Sequence, residues 1–292
     1  MLPRLLLLQL VFLWTALCVG SADQNKLGHS IANFFPLSWY DFVPVQKKFA
    51  DQVTSALPAI IPVDNLSLSL RSKFEAYNGK LIVIFVSADG FLKAFDFDKE
   101  EELWRLKIQD PKLILTGNHP ILDSESGRIF IKMKYGLFSA SLDGTSEEMW
   151  IFNPLDYLPT EQRDPALLKG PITCHTGLAI SETQHERKII YGCSSPSGYS
   201  QDRGKSGFVV GFPIDRNGLF SKGNKLKFFS ASQKTKNPQT GFATGIWMTG
   251  APPAILPNGD FLVTTGNGPF LPDEHNFGCS LLRVNGTTFQ VS

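Results

Sequence analysis

The chain is poor in charge and poor in cysteine. Asp, Glu, Lys and Arg make up only 19% of its 292 residues and balance to +1. Nothing in that charge recommends nucleic acid or an anionic membrane as a partner. The densest basic run, Lys222, Lys225, Lys227, Lys234 and Lys236, is interleaved with Gly, Asn and Ser and reads as a solvated loop. There are 4 cysteines, no two of them adjacent and none at zinc-ligand or Cys-x-x-Cys-His spacing. The histidines, at 29, 119, 175, 185 and 275, form no pair at ligand spacing. A Gly-x-Ser-x-Gly elbow and a phosphate-binding glycine loop are both missing, which excludes the commonest hydrolase and nucleotide signatures. Beyond residue 22 no apolar run reaches membrane length.

What is present is a globular composition of 42% hydrophobic and 12% aromatic residues with 25 Gly and 19 Pro. It favours β-structure over helix. Residues 1–22 read as a secretory signal. Arg4 supplies the basic start, Leu5 to Val19 the apolar run, and Gly20-Ser21-Ala22 the small residues at which cleavage is expected. The mature chain is then extracytoplasmic, with no membrane span of its own. Cleavage removes Cys18 and leaves Cys174, Cys193 and Cys279, an odd number with at least one unpaired thiol. Cys174 and Cys193 flank a predicted hairpin, and the spacing leaves open whether they are bridged. Asn65-Leu66-Ser67 and Asn285-Gly286-Thr287 are glycosylation sequons, at Asn65 and Asn285.

Residues 23–68 are the least regular part. Gln46 to Leu57 has helical spacing that Pro58 ends. The segment is read as an extension packing on the domain at 69–292. From Leu68 the pattern turns to short strands in series. Lys80 to Val86, Phe91 to Asp96 and Leu103 to Arg105 make one unit; Arg128 to Lys132, Leu137 to Leu142 and Met149 to Phe152 make the next. The spacing Gly90–Ala94–Trp104 recurs at Gly136–Ala140–Trp150, and the frame opens again at Gly207 and Gly278. Residues 153–170 and 221–245 are read as insertions. A period of about 40–50 residues with four strands per unit marks a β-propeller. The expected fold is therefore all-β, a propeller of four-stranded blades with about four blades visible in an incomplete ring. The last blade is cut short at Ser292.

The stretch Gly241 to Gly268, GFATGIWMTGAPPAILPNGDFLVTTGNG, places two glycine-rich bends around a predicted strand. Trp247 lies in one bend and Asn267 in the other. Glycine permits close backbone approach, tryptophan offers a flat stacking face and asparagine an oxygen donor.

Gly79 to Asp96 followed by Leu103-Trp104-Arg105 resembles a repeat of the pyrroloquinoline-quinone-type propellers, the quinoprotein alcohol dehydrogenase-like family, and the likeness extends over residues 69–292. It identifies the chain as a C-terminally truncated member. In those repeats the alanine sits where blades pack closely and the tryptophan stacks on the next blade, which makes Ala94, Ala140, Trp104 and Trp150 structural. In Gly245-Ile-Trp-Met-Thr249 the resemblance implies that Trp247 and Thr249 contact the quinone. In Thr264-Thr-Gly-Asn-Gly-Pro269 it implies that Asn267 is a calcium ligand, with Asp202 standing where the family has a glutamate. Pyrroloquinoline quinone and calcium are the cofactors so implied. Against them, the family's adjacent-cysteine disulfide is missing, the Trp247–Asn267 spacing is longer, Asp202 is shorter than glutamate, and no residue fills the catalytic aspartate role. Two expectations result: a secreted non-catalytic propeller binding a protein or carbohydrate with no cofactor, or part of a quinone- and calcium-dependent alcohol or sugar dehydrogenase.

Overall fold

A computed structural model describes residues 58–74, 81–87, 90–108, 119–157, 174, 176–194, 205–232, 243–246 and 248–292. The helix expected over Gln46 to Leu57, Trp247 and Asp202 all lie outside these residues.

The described chain is a run of antiparallel sheets. The first holds β1 (Ala59–Pro62), β2 (Leu81–Val86), β3 (Phe91–Asp96) and β4 (Glu101–Lys107) in chain order. The second holds β5 (Ile121–Asp123), β6 (Arg128–Met133), β7 (Gly136–Ser141) and β8 (Glu147–Ile151). The third holds β9 (Ala179–Glu182), β10 (Arg187–Ser194), β11 (Lys205–Ile214) and β12 (Lys227–Ser230), with β13 (Ala243–Thr244) pairing parallel to β11. The fourth holds β14 (Ala254–Ile255), β15 (Phe261–Thr264) and β18 (Leu281–Val284), interrupted by the hairpin of β16 (Phe270–Leu271) and β17 (Asn276–Phe277). These are about four blades of a propeller. Among the described residues the hydrophobic cores join first to second, second to third and third to fourth sheets, and none joins fourth to first.

The stacking follows from the period of two in a strand. On β6, Ile129, Ile131 and Met133 face the core shared with the first sheet, while Phe130 faces the third. On β10, Ile189, Tyr191 and Cys193 face the second sheet and Ile190 the fourth. Strands covered on both faces read as unbroken apolar runs, and burial of each such side chain contributes about 1.5–3 kcal/mol.

The structure corrects four local readings. Leu68–Phe74 is a short helix (α1), not the start of strands; Ser67 begins it, its carbonyl accepting the amides of Leu70 and Arg71. Ala59–Pro62, within the stretch read as an extension, is the first strand of the first sheet, with Ala59 opposite Ile84. The stretch 221–245 is not wholly an insertion, because β12 within it closes the third blade, pairing Phe208 with Ser230. Lys227 accordingly starts a strand instead of sitting in a loop.

The fourth correction concerns the repeat. Equal spacings do not give equal registers. In the first blade Ala94 pairs with Trp104; in the second Ala140 pairs with Glu147, and Trp150 with Leu137. The connection Phe97 to Glu100 and a bulge between Ala94 and Phe95 absorb residues in the first blade, and an odd shift reverses the face a side chain takes. The tryptophans are thereby parted, while Ala94 and Ala140, both fully buried, lie in the same core between the first two sheets. Trp104 packs there too, whereas Trp150 faces the third sheet. No helix among the described residues is long and apolar enough to cross a membrane.

Candidate functional site

The two glycine-rich bends are joined through their main chains. The Gly266 amide donates to the Gly245 carbonyl at 2.6 Å, and the Cys279 amide to the Gly266 carbonyl at 2.8 Å. They flank two short strands, β14 and β15, not one, because Asn258-Gly259 makes a turn between them with Gly259 at φ 82°. The first bend runs from β13 through buried Gly245 and Ile246 into a 3₁₀ turn, Met248–Gly250. Ile246 is pinned by its amide, which donates to Ser194 Oγ at 2.9 Å. In the second bend Thr265 Oγ1 accepts the Ser280 amide at 2.9 Å. Only glycine fits at Gly278, where a Cβ would lie 2.1 Å from the Gly268 carbonyl oxygen.

Of the residues the resemblance singles out, Asn267 is exposed at the tip of its bend, and Thr249 lies in the Met248–Gly250 turn. The Gly245–Gly266 bond draws their two bends together. Among the described residues no three His, Cys, Asp or Glu side chains converge as a metal ion would require. Asn267 offers one oxygen of the six to eight that calcium takes.

Behind the first bend lies a buried structure that the sequence reading missed. Lys132, on β6, is fully buried. Its ammonium donates to the carbonyl of Cys174 at 2.8 Å and to that of Thr176. Burial pulls its pKa down to about 8, since desolvation disfavours the charged form. Cys174 is bridged to Cys193 of β10, with Cα atoms 4.1 Å apart, and Cys279 is an exposed free thiol. Tyr191 donates its hydroxyl to the Gly136 carbonyl at 3.0 Å and stacks on Phe212. Burial holds that hydroxyl well above its ordinary pKa. The signal for Lys132 was its phase: it shares the inward face of β6 with Phe130 and Arg128, two and four residues away.

A second buried charge group ties the second and third blades. Arg187 Nη2 donates to Asp123 Oδ1 at 2.9 Å and lies 3.1 Å from Glu125 Oε2. Of the sequon residues, Asn65 is exposed at the end of a 3₁₀ turn. Asn285 is half-buried, its Oδ1 accepting the amides of Thr287 and Thr288 at 2.9 and 2.8 Å.

No family model matches the chain, and no curated protein matches it in sequence. Solved structures do. Quinohaemoprotein alcohol dehydrogenase from Comamonas testosteroni superposes with a TM-score of 0.50 at 12% identity, over 83% of this chain and 35% of that one. A quinohaemoprotein alcohol dehydrogenase from Pseudomonas putida HK5 gives 0.47 at 11% identity, over 83% and 34%. BamB from Moraxella catarrhalis gives 0.38 at 9% identity, over 72% and 48%. The chain thus spans about a third of the length of the two dehydrogenases. With four stacked sheets, their cores and the first of these superpositions together, the protein has the fold of the quinoprotein-type β-propellers.

Proposed function

We propose that the chain is the blade-bearing part of an exported quinoprotein-like propeller that acts by binding a protein or carbohydrate, without redox chemistry of its own. The observation that carries this reading is the β16–β17 hairpin. It follows directly on Asn267, and it holds Phe270 at 61% and Leu271 at 37% exposure. Phe277, paired with Phe270, is buried and packs near Phe229. A rigid base therefore presents an open aromatic face, the kind that stacks on a sugar ring or fills an apolar pocket. Loops on a rigid scaffold are where recognition concentrates. Export rests on the leader at residues 1–22.

The second reading is a portion of a quinone- and calcium-dependent alcohol or sugar dehydrogenase. The Gly245–Gly266 bond favours it, because it links the bends that carry Trp247, Thr249 and Asn267. Asp202 would join them. Fold alone carries no chemistry, so one experiment separates the two. The full-length protein is given pyrroloquinoline quinone and calcium. Quinone binding and dye reduction with alcohols and aldoses are then followed. The expected result is neither calcium-dependent quinone binding nor turnover. Turnover lost in Trp247→Ala and Asn267→Ala would overturn the binding reading in favour of the dehydrogenase.

A further inference from the structure

Cys174, Thr176, Gly177 and Leu178 lead into β9 as a short strap gripped from three sides. From the second blade, Lys132 Nζ donates to the carbonyls of Cys174 and Thr176. From β10, the disulfide holds Cys174 to Cys193. Thr176 Oγ1 also donates to the Gly192 carbonyl and accepts the Gly192 amide, both at 2.8 Å. On its remaining side the strap meets the turn at residues 248–251, in which the Ala251 amide donates to the Met248 carbonyl at 2.8 Å. The Gly177 amide donates to the Ala251 carbonyl at 3.0 Å. A Cβ on Gly177 would lie 2.7 Å from the Gly250 carbonyl oxygen, so the two backbones touch. Gly192 is likewise closed against Ile246, 2.6 Å from where its Cβ would be.

We infer that Lys132 and the Cys174–Cys193 disulfide form a redox-responsive latch that positions residues 248–251, the turn of the candidate site that carries Thr249. Lys132 and the two sulfurs are positioning groups. They touch the strap, and the strap seats the loop. Interiors are close-packed, so a strap released from one side cannot keep a backbone-to-backbone contact on the other. Opening the latch takes two electrons. A dithiol such as dithiothreitol attacks one sulfur as its thiolate and breaks the Cys174–Cys193 bond. Its second thiol then displaces the mixed disulfide. The reagent leaves as a cyclic disulfide, and both cysteines leave as thiols carrying its protons. Cys174 and Cys193 are 3% and 2% exposed, so attack proceeds from a locally opened strap. The latch as regulation rests on the ligand-binding reading; the latch as structure does not.

The test is amide hydrogen exchange on the full chain, which needs no ligand and so separates failure of the latch from failure of the binding reading. In Cys174→Ser/Cys193→Ser, and in the native protein after dithiothreitol, peptides covering residues 248–251 are expected to exchange at least about tenfold faster, as local opening allows. Peptides covering β2 are expected to keep their native rates. Lys132→Met is expected to loosen the same peptides with the disulfide intact. Unchanged exchange at 248–251 in the double serine variant overturns the latch. An equal rise in β2 overturns it too, by showing a staple of the whole fold. Should Lys132→Met fail to fold, the double serine variant and the reduced native protein still decide the question.

Discussion

Trp104 donates its indole N–H to the carbonyl of Leu142 at 2.9 Å, across the seam between the first and second blades. Beneath the ring lies Gly144, at φ 71°, where a Cβ would sit 2.7 Å from the indole. The turn and the tryptophan are one joint: the glycine makes room that the ring fills. Trp104→Ala is expected to destabilise the fold by about 3–5 kcal/mol, as for a large aromatic lost from packing. Gly144→Ala is expected to cost about 1–3 kcal/mol, through both positive φ and contact. Urea unfolding measures both. A Trp104→Ala loss below about 1 kcal/mol would show that the ring is not a wedge between blades.

Trp150 makes the next joint by other means, meeting Phe212 and Phe220 edge-on at 5.5 and 5.9 Å. Because neither contact depends on an indole hydrogen bond, Trp150→Phe is expected to be tolerated better than Trp104→Phe. The expected difference is about 0.5–1.5 kcal/mol, the usual net worth of one hydrogen bond. Equal losses in the two variants would remove the distinction.

Arg187 and Asp123 are both buried, and their bond crosses from β10 to β5. Arg187→Met leaves the Asp123 carboxylate without its cation and is expected to cost about 3–5 kcal/mol. Replacing both, in Asp123→Leu/Arg187→Met, is expected to cost less than the single change. A double-mutant cycle with additive losses would count against a coupled pair.

Lys132 gives the fold a signed pH dependence. Its pKa falls from the ordinary 10.5 to about 8 through burial. Below about pH 8 both folded and unfolded chains carry the proton, and the cost of the buried charge is fully present. Between there and 10.5 the folded chain has lost the proton and the unfolded chain has not, so stability rises with pH. One such group contributes at most about 1.4 kcal/mol per pH unit. Lys188, lowered by its own burial, adds in the same direction. Tyr191, raised by burial, opposes it above its ordinary value. Unfolding of the native protein and Lys132→Met between about pH 7.5 and 9.5 is therefore expected to show a shallower rise in the variant. Parallel curves would place the proton elsewhere.

Asn65 and the leader are tested together by expression through a eukaryotic secretory pathway. The exported protein is expected to begin after Ala22 and to lose mass with an N-glycosidase, a shift that is smaller in Asn65→Gln and absent from Asn65→Gln/Asn285→Gln. Retention of residues 1–22 on the exported chain would contradict the leader.

Much of the architecture was legible because it is written in strand periodicity. Leu81 to Val86 and Arg128 to Met133 are apolar runs bounded by turn residues, and the glycines before Phe91 and Leu137 mark their hairpins. The candidate site was less legible. The two glycine bends could be named from their residues, but not their bonding, since Gly245 and Gly266 are distant in sequence and meet through main-chain atoms that every residue has. Lys132 was missed because a lysine in a hairpin reads as exposed, and its carbonyl partners lie some forty residues on.

The sequence by itself determined the strand series, the fold class and the spacing of Trp104 and Trp150, because period-two burial and turn chemistry are local. Only the tertiary structure decided which face each repeated residue takes. A bulge at Ala94/Phe95, with a four-residue connection after it where the second blade has five, shifts the pairing of the last strand, so Trp104 faces the core of Ala94 while Trp150 turns to the third sheet. Ala94 and Ala140, identical in spacing, share the one core between the first two sheets instead of taking successive cores around the arc. It also decided where Lys132 places its charge, since only the docking of the third blade on the second brings the carbonyls of Cys174 and Thr176 to its ammonium.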